Sequence, residues 1–83
     1  MVTGYKIGVV THYYSQLGTA IVDLSDELHV GDFIKIVGST DFSQRVESIQ
    51  VEHEQVQFAK PGDTIGLKVK SMVNIGDEIC KSV

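Results

Sequence analysis

Apolar and polar residues alternate along most of this chain, with the period of two that a β-strand produces. The clearest example is the segment 64–70, where Ile65, Leu67 and Val69 share one face. Similar patterns predict further strands at 5–14, 19–24, 32–37, 42–51 and 77–81, and a shorter extended piece around 56–58. No segment has the spacing of an amphipathic helix. The chain is therefore predicted to be all-β, with six or seven short strands.

Two of these strands contain irregularities. In the first strand Ile7 and Val9 are predicted to share one face with Tyr5, and Gly8 between them indicates a bulge or a close backbone approach. In the strand 42–51 the apolar positions change phase halfway along, which predicts a β-bulge near residues 47–48.

The four-residue phrase Gly-Asp-x-Ile occurs three times, at 31–34, 62–65 and 76–79. Glycine tolerates the positive φ of a tight turn, and the aspartate that follows it can bind nearby backbone amides. In the second copy Pro61 precedes the glycine, which is the pattern of a type II turn. Each copy is predicted to be a turn that starts a strand and directs its isoleucine to one face.

Short, evenly spaced strands in 83 residues predict a small closed six-stranded antiparallel barrel. Closure would remove the exposed strand edges that favour aggregation. A chain of this length forms one core, so residues 1–83 are predicted to be a single domain.

The net charge of −4 and the scattering of the seven basic residues favour a protein partner over naked nucleic acid. No DNA partner is expected, because the basic residues are not clustered. No membrane partner is expected, because no apolar run of 18 residues occurs. The first residues lack a signal-peptide layout, and the single cysteine excludes an internal disulfide. We therefore expect a cytoplasmic location.

Two weak candidates for chemistry occur. Cys80 could be a nucleophile beside His12, His29 or His53, or simply a small apolar side chain near a strand end. The acidic and histidine side chains of 52–54 could contribute to a metal site, but adjacent residues of a strand point to opposite faces. No catalytic residue, cofactor-binding residue or metal ligand is predicted.

The candidate partner-binding residues are aromatic and basic side chains predicted to reach the surface. Exposed aromatic rings are good anchors for a protein or a stacked base, and outward lysines could add a weakly basic face. The alternative is that one tyrosine packs in the core and the lysines are only solvated. The candidates are His12, Tyr13, Tyr14, His53, Lys68 and Lys70.

Five segments in order, 8–20, 29–38, 45–50, 59–67 and 75–79, resemble the second domain of translational GTPases such as elongation factor Tu. The resemblance covers nearly the whole chain. The chain is also similar to the barrel at the C-terminal end of collagenase-like peptidases, a family linked in some members to RNA hydroxylation. Both resemblances imply a six-stranded translation-protein barrel.

In elongation factors this domain packs on a GTPase domain and helps hold the aminoacyl end of a transfer RNA. This chain has no Gly-x-x-x-x-Gly-Lys loop. The acidic, arginine and asparagine contacts of the elongation factor correspond to positions near Gln50, His53 and Thr64, where none of the residue types matches. The resemblance therefore transfers no RNA-binding residue.

The sequence favours a non-catalytic, stand-alone binding module that docks on a larger protein linked to translation or RNA modification. An accessory module that binds transfer or ribosomal RNA is the alternative, and a small enzyme is a third reading. Self-association into a homo-oligomer stays open.

Overall fold

The computed structural model describes residues 4–39 and 41–82, which form ten β-strands and no helix. The strands are β1 Gly4–Tyr14, β2 Thr19–Leu24, β3 Leu28–His29, β4 Phe33–Val37, β5 Phe42–Arg45, β6 Ile49–Val51, β7 Glu54–Val56, β8 Phe58–Ala59, β9 Thr64–Lys68 and β10 Glu78–Ser82. The prediction of an all-β chain is confirmed.

Eight strands form one antiparallel sheet in the order β5-β4-β10-β1-β2-β9-β6-β7, and β3 pairs with β8 separately. The sheet is an open half-barrel with β5 and β7 at its edges, so the prediction of a closed six-stranded barrel was wrong. The predicted strand 42–51 is in fact two strands. The chain leaves the sheet at residues 46–48, and β5 and β6 lie in opposite halves of it, so a strand break replaces the predicted bulge.

The first strand has the predicted irregularity at Gly8. Its register shifts between Lys6 and Gly8 against β10, and again between Val10 and His12 against β2. Because of these bulges the core receives Ile7 and Val10, whereas Val9 is only half-buried and Tyr5 is exposed, contrary to the prediction that Ile7, Val9 and Tyr5 share one face.

The inner faces of the other long strands follow the predicted alternation. Side chains of β2, β4 and β9 that point inward form one buried cluster with those of β1 and β10. The members from β2, β4 and the β9 segment are Ala20, Val22, Leu24, Ile34, Ile36, Ile65, Leu67 and Val69. Regular alternation in these segments thus places one face of the sheet in the core.

The three Gly-Asp-x-Ile segments form the same turn. Their glycines have φ of 92–98°, and the aspartate N–H donates to the carbonyl three residues earlier at 3.0–3.1 Å. The carboxylate in turn accepts a hydrogen bond from the N–H of that earlier residue at 2.9–3.0 Å. The pairs are His29–Asp32, Lys60–Asp63 and Asn74–Asp77. The predicted turn chemistry is confirmed, including the type II turn at Pro61.

Asp77 accepts more hydrogen bonds than Asp32 and Asp63, the aspartates of the other two turns. It is only 4% exposed, and it also accepts hydrogen bonds from the Ser39 N–H at 3.1 Å and from the Ser39 hydroxyl. Burial raises the pKa of Asp77, but the bonds from Asn74 and Ser39 outweigh it and hold the pKa below its usual value. Asp77 therefore fastens the end of β4 to the turn before β10.

Gln44 bridges the open side of the half-barrel. It lies on the edge strand β5 and is 8% exposed. Its Nε2 donates to the Lys68 carbonyl at 2.8 Å, and its Oε1 accepts from the Lys70 N–H at 2.9 Å. A side-chain amide thus makes the two bonds that a paired strand would make between β5 and the end of β9.

Candidate binding site

The outer face of β2, β9, β6 and β7 carries a shallow trough with Gly66 at its floor. Gly66 is paired with Ile21 of β2 on one side and with Gln50 of β6 on the other. Two depressions meet there, one of about 420 Å³ and one of about 180 Å³, and both include Gly66 and Gln50. We call this surface the outer trough. Its wider end is lined by Thr19, Glu47, Ser48, Gln55 and Lys68, and its narrower end by Ile21, Glu52, His53, Thr64 and Ile65.

Two of the predicted partner-binding residues lie at opposite ends of the outer trough. Lys68 is on β9 at the wider end, and its Nζ donates to the Leu17 carbonyl at 3.2 Å, which holds the amine near the β1–β2 turn. His53 is exposed in the turn between β6 and β7, at the narrower end. The fold thus brings both residues to one surface.

His12 and Tyr14 form an aromatic platform beside the outer trough. Their rings are stacked, with centroids 6.1 Å apart and an interplanar angle of 23°. His12 is opposite Ile21 and Tyr14 is opposite Thr19 in the sheet, and Tyr14 is 48% exposed. Exposed rings adjoining a polar trough are suited to anchoring a partner.

Tyr13 and Lys70 lie away from this platform. Tyr13 is partly buried and packs against the core, as one of the two readings of the tyrosine pair predicts. Lys70 is exposed and lines a separate depression of about 180 Å³ that includes Glu47 and Lys68. Lys70 is therefore a neighbour of the wider end of the outer trough.

Three polar side chains of the outer trough are open to a partner. The carboxamides of Gln50 and Gln55 and the hydroxyl of Ser48 make no side-chain hydrogen bond with another described residue, in contrast to Gln44. A carboxamide can both donate and accept. The outer trough therefore presents donors and acceptors that the fold does not use.

The residues considered for chemistry lie elsewhere. Cys80 is half-buried in β10, with Lys6 of β1 and Lys35 of β4 opposite it in the sheet. Within 4–39 and 41–82 no group of three His, Cys, Asp or Glu side chains could hold a metal ion. The described part of the chain also contains no helix able to cross a membrane.

Sequence reasoning did not select the residues that form the trough itself, Gly66, Gln50 and Gln55, although the elongation-factor resemblance placed Gln50 near a contact position. One signal was present, because a glycine within an otherwise regular alternating strand often marks a site where another backbone approaches closely. The glutamines carried no such signal, since their positions relative to Gly66 depend on how β6 and β7 pair with β9.

The sheet and the outer trough define an all-β domain with a polar outer face. No sequence profile of a known family matches the chain. Over 76 residues it is 34% identical to an uncharacterized protease of Methanocaldococcus jannaschii, covering 89% of this chain and 19% of the protease. Over 76 residues it is 38% identical to a collagenase of Porphyromonas gingivalis, covering 88% and 21%.

The chain is also 29% identical over 77 residues to elongation factor 1-alpha of Methanopyrus kandleri, covering 88% of this chain and 18% of the factor. It thus spans about a fifth of the length of the curated relatives it matches, 18–21%.

A crystal structure of a C-terminal domain, from a Geobacillus thermoleovorans protein assigned to the U32 peptidases, superimposes with a TM-score of 0.88. The two are 25% identical, and the match covers 93% of this chain and 99% of that domain. The chain is therefore homologous to the C-terminal domain of U32 peptidases and collagenase-like proteins. The expected resemblance to collagenase-like peptidases is confirmed, and identity with the second domain of elongation factor Tu is not.

Proposed function

We propose that this chain is a non-catalytic binding domain that docks on a larger protein through the outer trough and the His12–Tyr14 platform. The observation that carries this proposal is the match over 99% of a solved C-terminal domain, with a TM-score of 0.88. In the curated relatives about four-fifths of the length lies outside the match, so the same fold serves there as one part of a larger protein.

Two features support binding over catalysis. The buried polar side chains Gln44 and Asp77 are both engaged in hydrogen bonds that hold the fold together. The unengaged polar groups lie in an open trough, whose shape suits a macromolecular segment better than a small enclosed ligand. The protease activity named for the relatives would then belong to the parts that this chain does not span.

The proposal also includes the kind of partner that the domain binds. We propose a cytoplasmic partner linked to translation or RNA modification, and the similarity to elongation factor 1-alpha supports the link to translation. The net charge of −4 favours a partner with a basic surface.

RNA binding is the second candidate, and one observation favours it. The positions that correspond to the transfer-RNA contacts of elongation factors, Gln50, His53 and Thr64, all line the narrower depression of the outer trough. The stacked rings of His12 and Tyr14 beside it could hold an unpaired base.

The test is affinity capture from the protein's own cell lysate, with and without ribonuclease, using the wild type, a His12→Ala/Tyr14→Ala double variant and Lys35→Ala as a control. Lys35 is exposed on β4, away from the trough. A stoichiometric protein that survives ribonuclease and is lost only with the double variant is the expected result.

RNA that is captured by the wild type and lost on ribonuclease treatment would favour the second candidate. Capture of neither class of partner by the wild type would refute the binding proposal. Hydrolysis of a peptide-substrate library by the purified chain would refute the non-catalytic assignment.

A further inference from the structure

Gly66 is the one glycine of the described chain that neither its backbone conformation nor its internal packing requires. Each of the other seven has either a positive φ or an added Cβ that would lie within 3.0 Å of a neighbouring atom. A Cβ on Gly66 would lie 3.5 Å from Thr19 Cγ2 and 3.6 Å from Gln50 Cβ, which are ordinary van der Waals distances. Since glycine weakens the interior of a strand, its presence in β9 has no explanation within the fold.

The turn between β6 and β7 has residues with side chains where the backbone conformation favours glycine. Glu52 and His53 have φ of 51° and 69°, in the region that a two-residue hairpin turn normally fills with Asn-Gly. Side chains with a Cβ are strained there. Both residues border the narrower end of the outer trough, so two independent exceptions meet at one surface. Such exceptions are expected at functional sites.

We infer that the outer trough binds an extended peptide segment of the partner, whose main chain lies directly over Gly66. This inference rests on the proposed binding function and names the chemical class of its partner. Without a Cβ at position 66, a second main chain can reach van der Waals contact with the floor of the trough. Any side chain at this position would fill the space that the segment occupies.

The chemistry of the trough matches a peptide. Peptide groups need both a donor and an acceptor, and the unengaged carboxamides of Gln50 and Gln55 supply both. From Thr64 to Lys68 the floor is about 13 Å long, the length of roughly four extended residues.

The charges of the trough select among peptides. Glu47 and Lys68 line the wider end and Glu52 the narrower end, so carboxylates outnumber amines, and neither carboxylate forms an ion pair with another described residue. A segment with a lysine or arginine complements these carboxylates. A phosphate backbone meets this excess of negative charge, which favours a peptide over RNA as the occupant.

The inference is tested by selecting an mRNA-displayed library of random dodecapeptides on the immobilised full chain. The bait proteins are the wild type, Gly66→Ala, Gly66→Val and the control Lys35→Ala. Selected peptides are synthesised, and their affinities are measured by fluorescence anisotropy. We expect peptides with basic residues, bound equally by wild type and Lys35→Ala, about tenfold more weakly by Gly66→Ala and undetectably by Gly66→Val.

Thermal unfolding separates a blocked trough from a damaged fold. The melting temperature of Gly66→Ala is expected to equal or exceed that of the wild type, because its Cβ makes only ordinary van der Waals contacts, at 3.5–3.6 Å. A second variant, Glu52→Asn/His53→Gly, relieves the strained turn and removes the Glu52 carboxylate and the His53 ring from the trough. It is expected to melt at a higher temperature and to bind the selected peptides more weakly.

Peptides that bind Gly66→Ala and Gly66→Val as tightly as the wild type would overturn the inference. If affinity then falls only with His12→Ala/Tyr14→Ala, the chain binds peptides at the aromatic platform and not in the trough. The proposed binding function would then be supported and the trough inference refuted. Selection of no peptide, together with wild-type binding of single-stranded RNA dodecamers, would also overturn the inference while binding survives. Failure with peptides, RNA and lysate partners alike would refute the binding function itself.

Discussion

Replacing Asp77 with alanine tests how much of this fold depends on one buried carboxylate. The chain contains its own control, because Asp63 occupies the same turn with the same backbone geometry at a more exposed site. Asp63→Ala removes one hydrogen bond, from the Lys60 N–H at 3.0 Å. Asp77→Ala removes bonds from the Asn74 N–H, the Ser39 N–H and the Ser39 hydroxyl.

The expected free-energy changes differ by a factor of about four. Water replaces the exposed acceptor in Asp63→Ala, so unfolding should become easier by about 0.5–1 kcal/mol. In Asp77→Ala two partly buried N–H groups lose a charged acceptor, at about 1–2 kcal/mol each, and the expected total is about 2–4 kcal/mol. For a domain of this size, each kcal/mol lowers the melting temperature by about 4–8 °C.

Urea unfolding followed by tyrosine fluorescence measures both variants, since the chain has three tyrosines and no tryptophan. Asp77→Asn should fall between wild type and Asp77→Ala, because both carboxylate oxygens accept from N–H groups and one would be replaced by a donor. Equal losses for Asp77→Ala and Asp63→Ala, within about 0.5 kcal/mol, would refute the reasoning, since coupling to Ser39 would then contribute nothing measurable.

The same carboxylate should make stability depend on pH. The pKa of Asp77 is lower in the folded chain than its usual value of 3.8. Its stabilising contribution is therefore complete above that usual value and is lost as the pH falls through the folded pKa. The difference in unfolding free energy between wild type and Asp77→Ala should be constant near neutral pH and shrink below pH 3.8. A difference that grows on acidification would contradict this assignment.

Two further substitutions test contacts that join separate parts of the half-barrel. Gln44→Ala should cost about 2–3 kcal/mol and speed amide exchange at Lys70, because both bonds across the open side disappear; unchanged exchange would show that the bridge is unimportant. Gly38→Ala should cost about 1–3 kcal/mol in urea unfolding, because φ is 145° and the new Cβ would collide with the Asp77 carboxylate. Wild-type stability of Gly38→Ala would show that this contact relaxes freely.

Regular local patterns were enough to predict much of the fold. The alternation of Ile65, Leu67 and Val69 gave the correct inner face, since a strand's period of two is a property of its own backbone. The same reasoning failed at Val9 and Val10, because the bulges of β1 arise from its pairing with β10 and β2. Closure was predicted wrongly because the sequence does not reveal where the chain leaves the sheet after Arg45.

The candidate site was predicted only as separate residues. His53 and Lys68 were chosen for their chemistry, and the structure places them at the two ends of one trough. The trough depends on β6 lying beside β9, a contact between segments that no local pattern specifies. From the sequence, Gly66 is only a position without a side chain. Its place at the floor of the trough becomes clear only when the neighbouring strands β2 and β6 are known.

The position of β10 has a consequence for the synthesis of this protein. The most C-terminal described strand lies inside the sheet, between β4 and β1, and pairs Gly4 with Ser82. Until β10 has left the ribosome, β4 and β5 pair with no strand of the rest of the sheet, and the Gln44 side chain is their hydrogen-bonded link to the end of β9. Contacts between such distant segments slow folding. The nascent chain must therefore keep two incomplete sheets apart from other strands, and the domain can become complete only after translation of its end.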